Sequence, residues 1–360
     1  MAKFMLLGLF KTNTTGFIGI DIGTHAIKIV AISTFRSVYQ VDAMIDMPLP
    51  KGVMVDHHPQ DIAKINFLIK QLRQKLTINY TNTAIAITGP DVMTKVMLIN
   101  STLNEAELES QIEMALENEF AINLNDIFID FEIIGAHPHD PAFNNVLVST
   151  AHKDVVLAHV QCVDDAGLST RIVDIASHAL ARAVNFFLPI NQKHLVFAVV
   201  DLGASQTTLN VIHQGNVIFS RSHLCCGHQC TQLIADYYDL TFPEAEKMKI
   251  SGAFSAACEQ QVILPFIEQL GRDLYLDLRL FNDLETGPSI SQVMLTGGAC
   301  LLCNLPASLE KILAIKVLRL AVEETLTFKN ATDKPLFSTS SEQFLLALGL
   351  ALSGAHDVPY

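Results

Sequence analysis

The strongest constraint on this chain is a device that it carries twice. Phe17-Ile18-Gly19-Ile20-Asp21-Ile22-Gly23-Thr24-His25 and Val196-Phe197-Ala198-Val199-Val200-Asp201-Leu202-Gly203-Ala204-Ser205 both run an apolar strand into Asp-x-Gly. In each, the strand stops at a carboxylate, turns on glycine beside hydroxyl residues, and resumes as an alternating strand through Lys28 or Thr207. Glycine lets backbone N–H groups crowd an anion, and Thr24, Ser205 and Thr207 add hydroxyl donors. Asp21 and Asp201 can hold magnesium, directly or through water. One such hairpin reads equally as a capped turn. Two, half a chain apart, predict duplicated domains that close on a polyphosphate from both sides.

The remaining composition narrows the classes. With 360 residues, half of them apolar and 17% charged, the chain is long enough for two or more ordered domains. A net charge of −13 argues against nucleic acid as the main partner. Seven cysteines, scattered through apolar context, fit a reducing cytoplasm better than a disulfide scaffold. Cys300-x-x-Cys303 lacks the second pair that a zinc site needs. The richest apolar run, 344–352, is too short for a bilayer. It reads as a buried helix capped within 338–341 and leaving at Gly354. Residues 1–15 read as a tail without a signal-peptide cleavage site, and a short amphipathic contact with lipid is the alternative.

Acid is concentrated in one stretch. Residues 101–170 carry thirteen Asp and Glu against one Lys, so the rest of the chain is near neutral. Thr102 and Glu105 suggest a capping box, followed by Leu108, Ile112, Leu116 and Phe120 at helical spacing. Strands at 127–134 and 145–150, a helix at 154–165 and a strand at 170–174 complete a module inserted in the first half. His137-Pro138-His139-Asp140 reads as a turn rather than a metal site.

The second half predicts a hairpin at Gln214-Gly215-Asn216, joining strands 207–212 and 217–222. Gly227 opens a helix to Tyr238, a short helix follows at 243–250, and a long one spans about 256–281. The strand 290–295 empties into Thr296-Gly297-Gly298-Ala299 before a helix near Leu305, which brings backbone close to a flat or charged ligand.

Taken together, these motifs resemble the two phosphate motifs and the adenosine motif of actin-like ATPases. Ala245-Glu246-x-x-Lys249 is similar to the segment that reaches the adenosine ribose and base in bacterial actins, although a surface ion pair three residues apart would look the same. Lys28 stands where actin has a phosphate-contacting lysine. The inserted module, lying before an interdomain helix at 177–188, resembles FtsA and PilM rather than actin or MreB. Glu117-Asn118-Glu119-Phe120, Asp130-Phe131-Glu132, Gly227-His228-Gln229-Cys230-Thr231, Ser251-Gly252 and Gly271-Arg272 further resemble the PilM family of type IV pilus assembly, over about 16–354.

That resemblance implies an α/β actin-like ATPase fold, two duplicated RNase H-like domains with an inserted subdomain. Its expected parts are a first domain at 16–100, completed by 175–192 and 336–356, and an insert at 101–174. The second domain is expected at 193–222 with 286–335, and a helical subdomain at 223–285. It also implies bound ATP and Mg2+. The nucleotide-binding residues would be Asp21, Gly23, Thr24, His25, Lys28, Asp201, Gly203, Ala204, Ser205, Thr207, Gly227, Glu246, Lys249, Gly297, Gly298 and Ala299, with Asp21 and Asp201 facing the metal. The implied partner is the cytoplasmic N-terminal tail of a PilN-like single-pass inner-membrane protein, seated between the insert and the first domain. Other implied relations are pilus platform and motor components, self-association, and a cytoplasmic place at the inner membrane reached through partners.

Departures bear on turnover. Members of the family often carry a Glu near the start of the interdomain helix, where this chain has Ala176, with Asp174 and His178 as the nearby polar groups. Hydrolysis needs a group that orients water, so slow or absent hydrolysis is expected. Two other readings stand beside this one. An FtsA-like filament protein would ordinarily end in a linker and amphipathic helix, whereas this sequence stops at Tyr360. A small-molecule kinase would need a general-base Asp and a polar substrate loop, and neither is evident.

Overall fold

β1 (Gly16–Ile22) and β2 (Ala26–Phe35) form the first hairpin, with Asp21 opposite Lys28 in the ladder. The computed structural model describes residues 16–35, 38–120, 123–137, 140–284, 289–320, 326–329 and 333–355. β3 (Val38–Pro48) extends the meander, and β4 (Met54–Val55) and β5 (His58–Pro59) make a minimal hairpin before α1 (Ile62–Lys75). β6 (Asn82–Ile87) returns parallel to β1.

The chain then leaves this sheet. β7 (Val92–Asn100), α2 (Glu105–Phe120), β8 (Ile127–His137) and β9 (Asp140–His152) form a three-stranded sheet ordered β7-β9-β8, with one helix on it. Leu108, Ile112 and Leu116 of α2 bury against Ile127, Val146 and Val148, as their spacing predicts. The side chain of Phe120, Pro138 and His139 lie outside the described residues. The helix cap is displaced from the expected position. Asn104 and Glu107 exchange the capping bonds at 3.1 and 3.0 Å, while Thr102 donates to Asn100 instead.

The expected limits of the insert, 101 and 174, also shift. β7 pairs with β9 along its whole length, so the module spans 92–152. α3 (Lys153–Asp164) belongs to the first domain, burying Cys162 and Val163 against Ile65 and Leu68 of α1. β10 (Ser169–Ile175) pairs parallel to β6 and closes the first sheet. The pairing partner of β7 lies some fifty residues downstream, a non-local fact that its own sequence does not encode.

α4 (Ala176–Phe187) crosses to the second domain. There β11 (Val196–Leu202), β12 (Thr207–His213) and β13 (Asn216–His223) repeat the opening meander, with Asp201 opposite Thr208. α5 (Gly227–Tyr238) and α6 (Phe242–Ser251) follow, then α7 (Ala256–Cys258), a π-turn over Glu259–Ile263, and α8 (Leu264–Leu284). The single long helix expected at 256–281 thus runs unbroken to Leu284, with a π-bulge inside it. Pro265 has no N–H for the preceding turn, and the Leu264 N–H reaches back five residues to Glu259. β14 (Ile290–Thr296), α9 (Leu305–Leu313) and β15 (Val317–Arg319) complete the second sheet, ordered β13-β12-β11-β14-β15.

The first sheet reads β10-β6-β1-β2-β3-β16, so its first five strands mirror the second sheet strand for strand. Its outermost strand, β16 (Thr327–Phe328), pairs with β3, which moves this part of the expected 286–335 segment to the first domain. α10 (Asp333–Ala355) starts earlier than expected, so 338–341 lies inside it and not at its start.

α4 and α10 pack between the two sheets. Leu180, Ala183 and Val184 meet Phe344, Leu345 and Leu348, with Val30 and Ile32 on one side and Phe197, Val199 and Met294 on the other. The helices approach so closely at Gly349 that any side chain there would overlap the Ala179 carbonyl. This shared core brings the C-terminal ends of β1 and β11 toward each other.

Candidate nucleotide cleft

The two hairpin turns meet. Thr24 Oγ1, in the turn after β1, donates to Ser205 Oγ, in the turn after β11, at 3.1 Å and across 181 residues of sequence. Each turn is closed by one backbone bond, from Gly23 N–H to the Ala26 carbonyl at 3.1 Å and from Gly203 N–H to the Gln206 carbonyl at 3.0 Å. The residues between those bonds leave the strand ladder and face a cavity of about 910 Å³ between the domains. Fifteen of the sixteen expected residues line that cavity.

Thr207 is the exception and corrects the expectation. It is fully buried and donates to the Cys225 carbonyl at 2.6 Å, on the face of β12 turned away from the cleft. Side chains alternate along a strand, so Gln206 and Thr208, which do line the cavity, flank a residue that cannot.

Charge is unevenly shared between the lips. Lys28 Nζ lies 2.9 Å from Asp21 Oδ2. Burial opposes the lysine charge, but Asp21, then Asp201 and Asp46, more than offset it, and its pKa is raised. Asp201 has no such partner on its own hairpin. Burial, with Asp21 nearby, pushes its carboxyl up to about 6.

Behind the second lip, β14 ends at Thr296, whose hydroxyl donates to the Glu342 carbonyl at 2.7 Å. Gly297 then turns with a left-handed φ of +84°. A Cβ there would collide with Asp201 Oδ1 and stand 2.5 Å from the Leu202 carbonyl, so only glycine closes this wall. Gly298 and Ala299 continue it. α5 seals the other side, because the N–H groups of Gly227 and His228 bond the carbonyls of Gly203 and Ala204 at 3.0 and 2.8 Å.

Glu246 and Lys249 are not a solvated surface pair. Lys249 Nζ donates to Glu246 (2.8 Å), to Thr231 Oγ1 (2.8 Å) and to the Gly227 carbonyl (3.0 Å), and Thr231 also bonds Glu246. Burial would raise the Glu246 pKa, but Lys249 and Thr231 outweigh it and hold the carboxyl below its usual range. His25 of the first lip meets His228 edge-on, their ring centroids 6.0 Å apart.

Several lining residues were not among those expected. His57, in the β4–β5 turn, reaches Ser205 Oγ at 3.4 Å, and Gln206 Nε2 donates to Thr88 Oγ1 at 3.3 Å. Both contacts join residues more than a hundred apart, and no local pattern marks them. Ala176 opens α4 on the cavity wall. Of its neighbours, Asp174 is held by Arg182 at 2.8 Å, and burial lowers the His178 pKa.

The cleft fits a nucleoside phosphate with its cation. Two carboxylates, one lysine and two hydroxyls converge where the turns meet, and the Gly297 wall is cut to the bare backbone. Asp201, buried without a cation of its own, is a suitable anchor for magnesium. Among the described residues no cluster of three or more His, Cys, Asp or Glu is arranged to hold a metal.

Comparison with known proteins agrees with this architecture. Residues 19–355 match the family described as type IV pilus assembly protein PilM. The division protein FtsA of Enterococcus faecalis is 24% identical over 275 residues, 66% of this chain, and the match spans 58% of that protein's length. The solved PilM-PilN type IV pilus biogenesis complex superposes with a TM-score of 0.83 at 21% identity, covering 94% of this chain and 98% of that one. MreB5 of Spiroplasma citri, solved with ADP and with AMPPNP, superposes at 0.51 and 13% identity, covering 94% and 95%. The fold is therefore that of the actin-like ATPases. No described helix is long and apolar enough to cross a membrane.

Proposed function

Since the chain belongs to the PilM family of type IV pilus assembly proteins, we propose that it is an ATP-binding scaffold of the pilus assembly platform at the inner membrane, one that turns nucleotide over slowly or not at all. The observation that carries this reading is the meeting of the two lips, Thr24 on Ser205. Phosphates entering between them exchange that hydroxyl bond for bonds to both domains, so a bound nucleotide ties the halves together.

In this reading the turns of Gly23–His25 and Gly203–Ser205 hold the phosphates, with Lys28 beside them. Asp21 and Asp201 hold magnesium through water, and the Glu246–Lys249–Thr231 network receives the ribose and base. Magnesium would neutralise phosphate charge there. Slow turnover follows from Ala176, since Asp174 is committed to Arg182 and His178 is desolvated. Turnover well below the ~1–100 s⁻¹ of kinases is expected.

The partner is the N-terminal tail of a PilN-like membrane protein, seated between the inserted module and the first domain, with motor components beyond it. Support comes from the structural likeness to the PilM-PilN complex and from charge. The module at 92–152 carries ten acidic residues against Lys95, which suits a basic tail.

Calorimetric titration with Mg-ATP tests the core of the proposal. Wild-type protein binds, and Asp21→Ala and Asp201→Ala each weaken binding by about tenfold or more, the loss of one charge-assisted contact. Unchanged affinity in both variants rejects the site.

A further inference from the structure

The two-residue β4–β5 hairpin delivers a histidine to the point where the lips meet. Asp56 and His57 both adopt left-handed backbone, with φ of +48° and +66°. This is the conformation that a two-residue hairpin loop requires at both of its positions, and Asp and His are among the side chains that tolerate it. Two contacts hold the turn in place. His58 is paired with Asp91, and the His57 ring lies against Gly89, where an added Cβ would stand 3.3 Å from the ring. The turn therefore aims the His57 imidazole at Ser205 Oγ, 3.4 Å away, where Thr24 also bonds.

We propose that His57 is a phosphate-reading residue: its imidazole, now resting on Ser205, bonds the terminal phosphate of a bound nucleoside triphosphate and gives the protein a preference for triphosphate over diphosphate. This rests on the nucleotide reading above and adds a residue and a specificity to it. A terminal phosphate between the lips must part Thr24 from Ser205, and His57 Nε2 lies on that same Ser205 hydroxyl. The present bond to Ser205 is long, near the limit for any hydrogen bond, so little is lost on exchange. Lys28 gives one of its three donors to Asp21, and the imidazole adds a directed donor beside it. The imidazole supplies that donor from a ring atom, and its rigid seat fixes the direction. A diphosphate does not extend to this position and leaves His57 on Ser205.

A purely mechanical role, in which His57 merely steadies Ser205, predicts something different: both nucleotides would weaken together. The decisive measurement is calorimetric affinity of the full chain for Mg-ATP and Mg-ADP, in wild type, His57→Asn and His57→Gln. Asparagine keeps the left-handed preference of the turn but is too short to reach the lips, while glutamine restores a donor at longer reach. His57→Asn is expected to lower the ATP-to-ADP preference about tenfold, through ATP alone, with His57→Gln recovering part of it. Should His57→Asn fail to fold, Gly89→Ala, which pushes the ring off its seat, is expected to lower the same ratio. An unchanged ratio in a folded variant, or equal loss for both nucleotides, overturns the proposal and leaves the nucleotide site standing. A wild-type protein that binds neither nucleotide overturns the site and this inference with it.

Discussion

The two lips share a backbone and differ in charge. Asp21 faces Lys28 across its ladder, whereas Asp201 faces Thr208 across the equivalent one. The first carboxylate is neutralised within its own hairpin, and the second is not. One lysine thus serves two carboxylates: burial, then Asp21, raises the Asp201 carboxyl to about 6 against the pull of Lys28, and Lys28, despite its burial, is held charged by both. The two hairpins are alike in backbone and divided in electrostatics. The first lip brings the fixed cation, and the second has a buried carboxylate without one on its own hairpin, the proposed seat of a divalent ion. The strands flanking the lips carry the comparison further. β6 and β14 each run on into Thr-Gly, at Thr88-Gly89 and Thr296-Gly297, and both glycines are left-handed.

The largest effect expected from breaking this likeness is at Gly297. Gly297→Ala places a methyl on Asp201 and Leu202 in a backbone region that L-residues avoid. Overpacking and handedness together should cost about 2–5 kcal/mol, with nucleotide binding lost. Gly89→Ala meets only the His57 ring, at 3.3 Å, and should cost about 1–2 kcal/mol, chiefly from handedness. Thermal and denaturant unfolding of the two variants, side by side, measures the gap. Equal losses would mean that the second lip is no more tightly walled than the first.

Next in size is the charge asymmetry, read through pH. The folded-state pKa of Asp201 lies above its unfolded value, so its protonated form is favoured by folding. Relative stability from this group is present below about pH 4 and is lost as pH rises through about 6. Asp201→Asn, which stays neutral, should therefore match wild type near pH 4 and exceed it in melting temperature at pH 7, in nucleotide-free protein. Asp21→Asn should show no such gain, because it strands Lys28. Melting curves from pH 4 to 7 decide the matter, and parallel curves for wild type and Asp201→Asn would show that Asp201 is not desolvated.

What the sequence made legible follows the same division between local and distant. The two hairpins, the apolar stripe of α2 and the Gly297–Gly298 turn are local devices, each fixed by a few adjacent residues. Thr207 was readable in principle. Residues directly opposite in a ladder share a face, so if Lys28 faces Asp21 then Thr208, not Thr207, faces Asp201. The limits of the insert were not readable, because β7 and β10 look alike as apolar strands and only their partners, β9 and β6, distinguish the sheets. His57 was hidden for a related reason. Its short turn has no periodicity, and its significance lies wholly in a residue 148 positions away. The cap of α2 slipped because Thr102 and Asn104 are both competent N-caps, and Asn100 claims the first.

The smallest effect is the most direct test of whether the lips belong to one site. Thr24 and Ser205 share a neutral bond at a half-buried position, worth about 0.5–1.5 kcal/mol net. Thr24→Val and Ser205→Ala should each destabilise the nucleotide-free protein by no more than that. Their combination should cost less than the sum, leaving a coupling energy of about 0.5–1 kcal/mol, because the second substitution removes a partner already lost. His57 also touches Ser205, so the cycle is best repeated in a His57→Asn background, where that second bond is absent. A coupling that survives there belongs to the lips alone. With saturating Mg-ATP the same cycle should fall toward zero, since phosphate would then stand between the two hydroxyls. Strict additivity without nucleotide would place the turns out of contact in solution, and a coupling that persists undiminished with nucleotide would place the phosphates elsewhere.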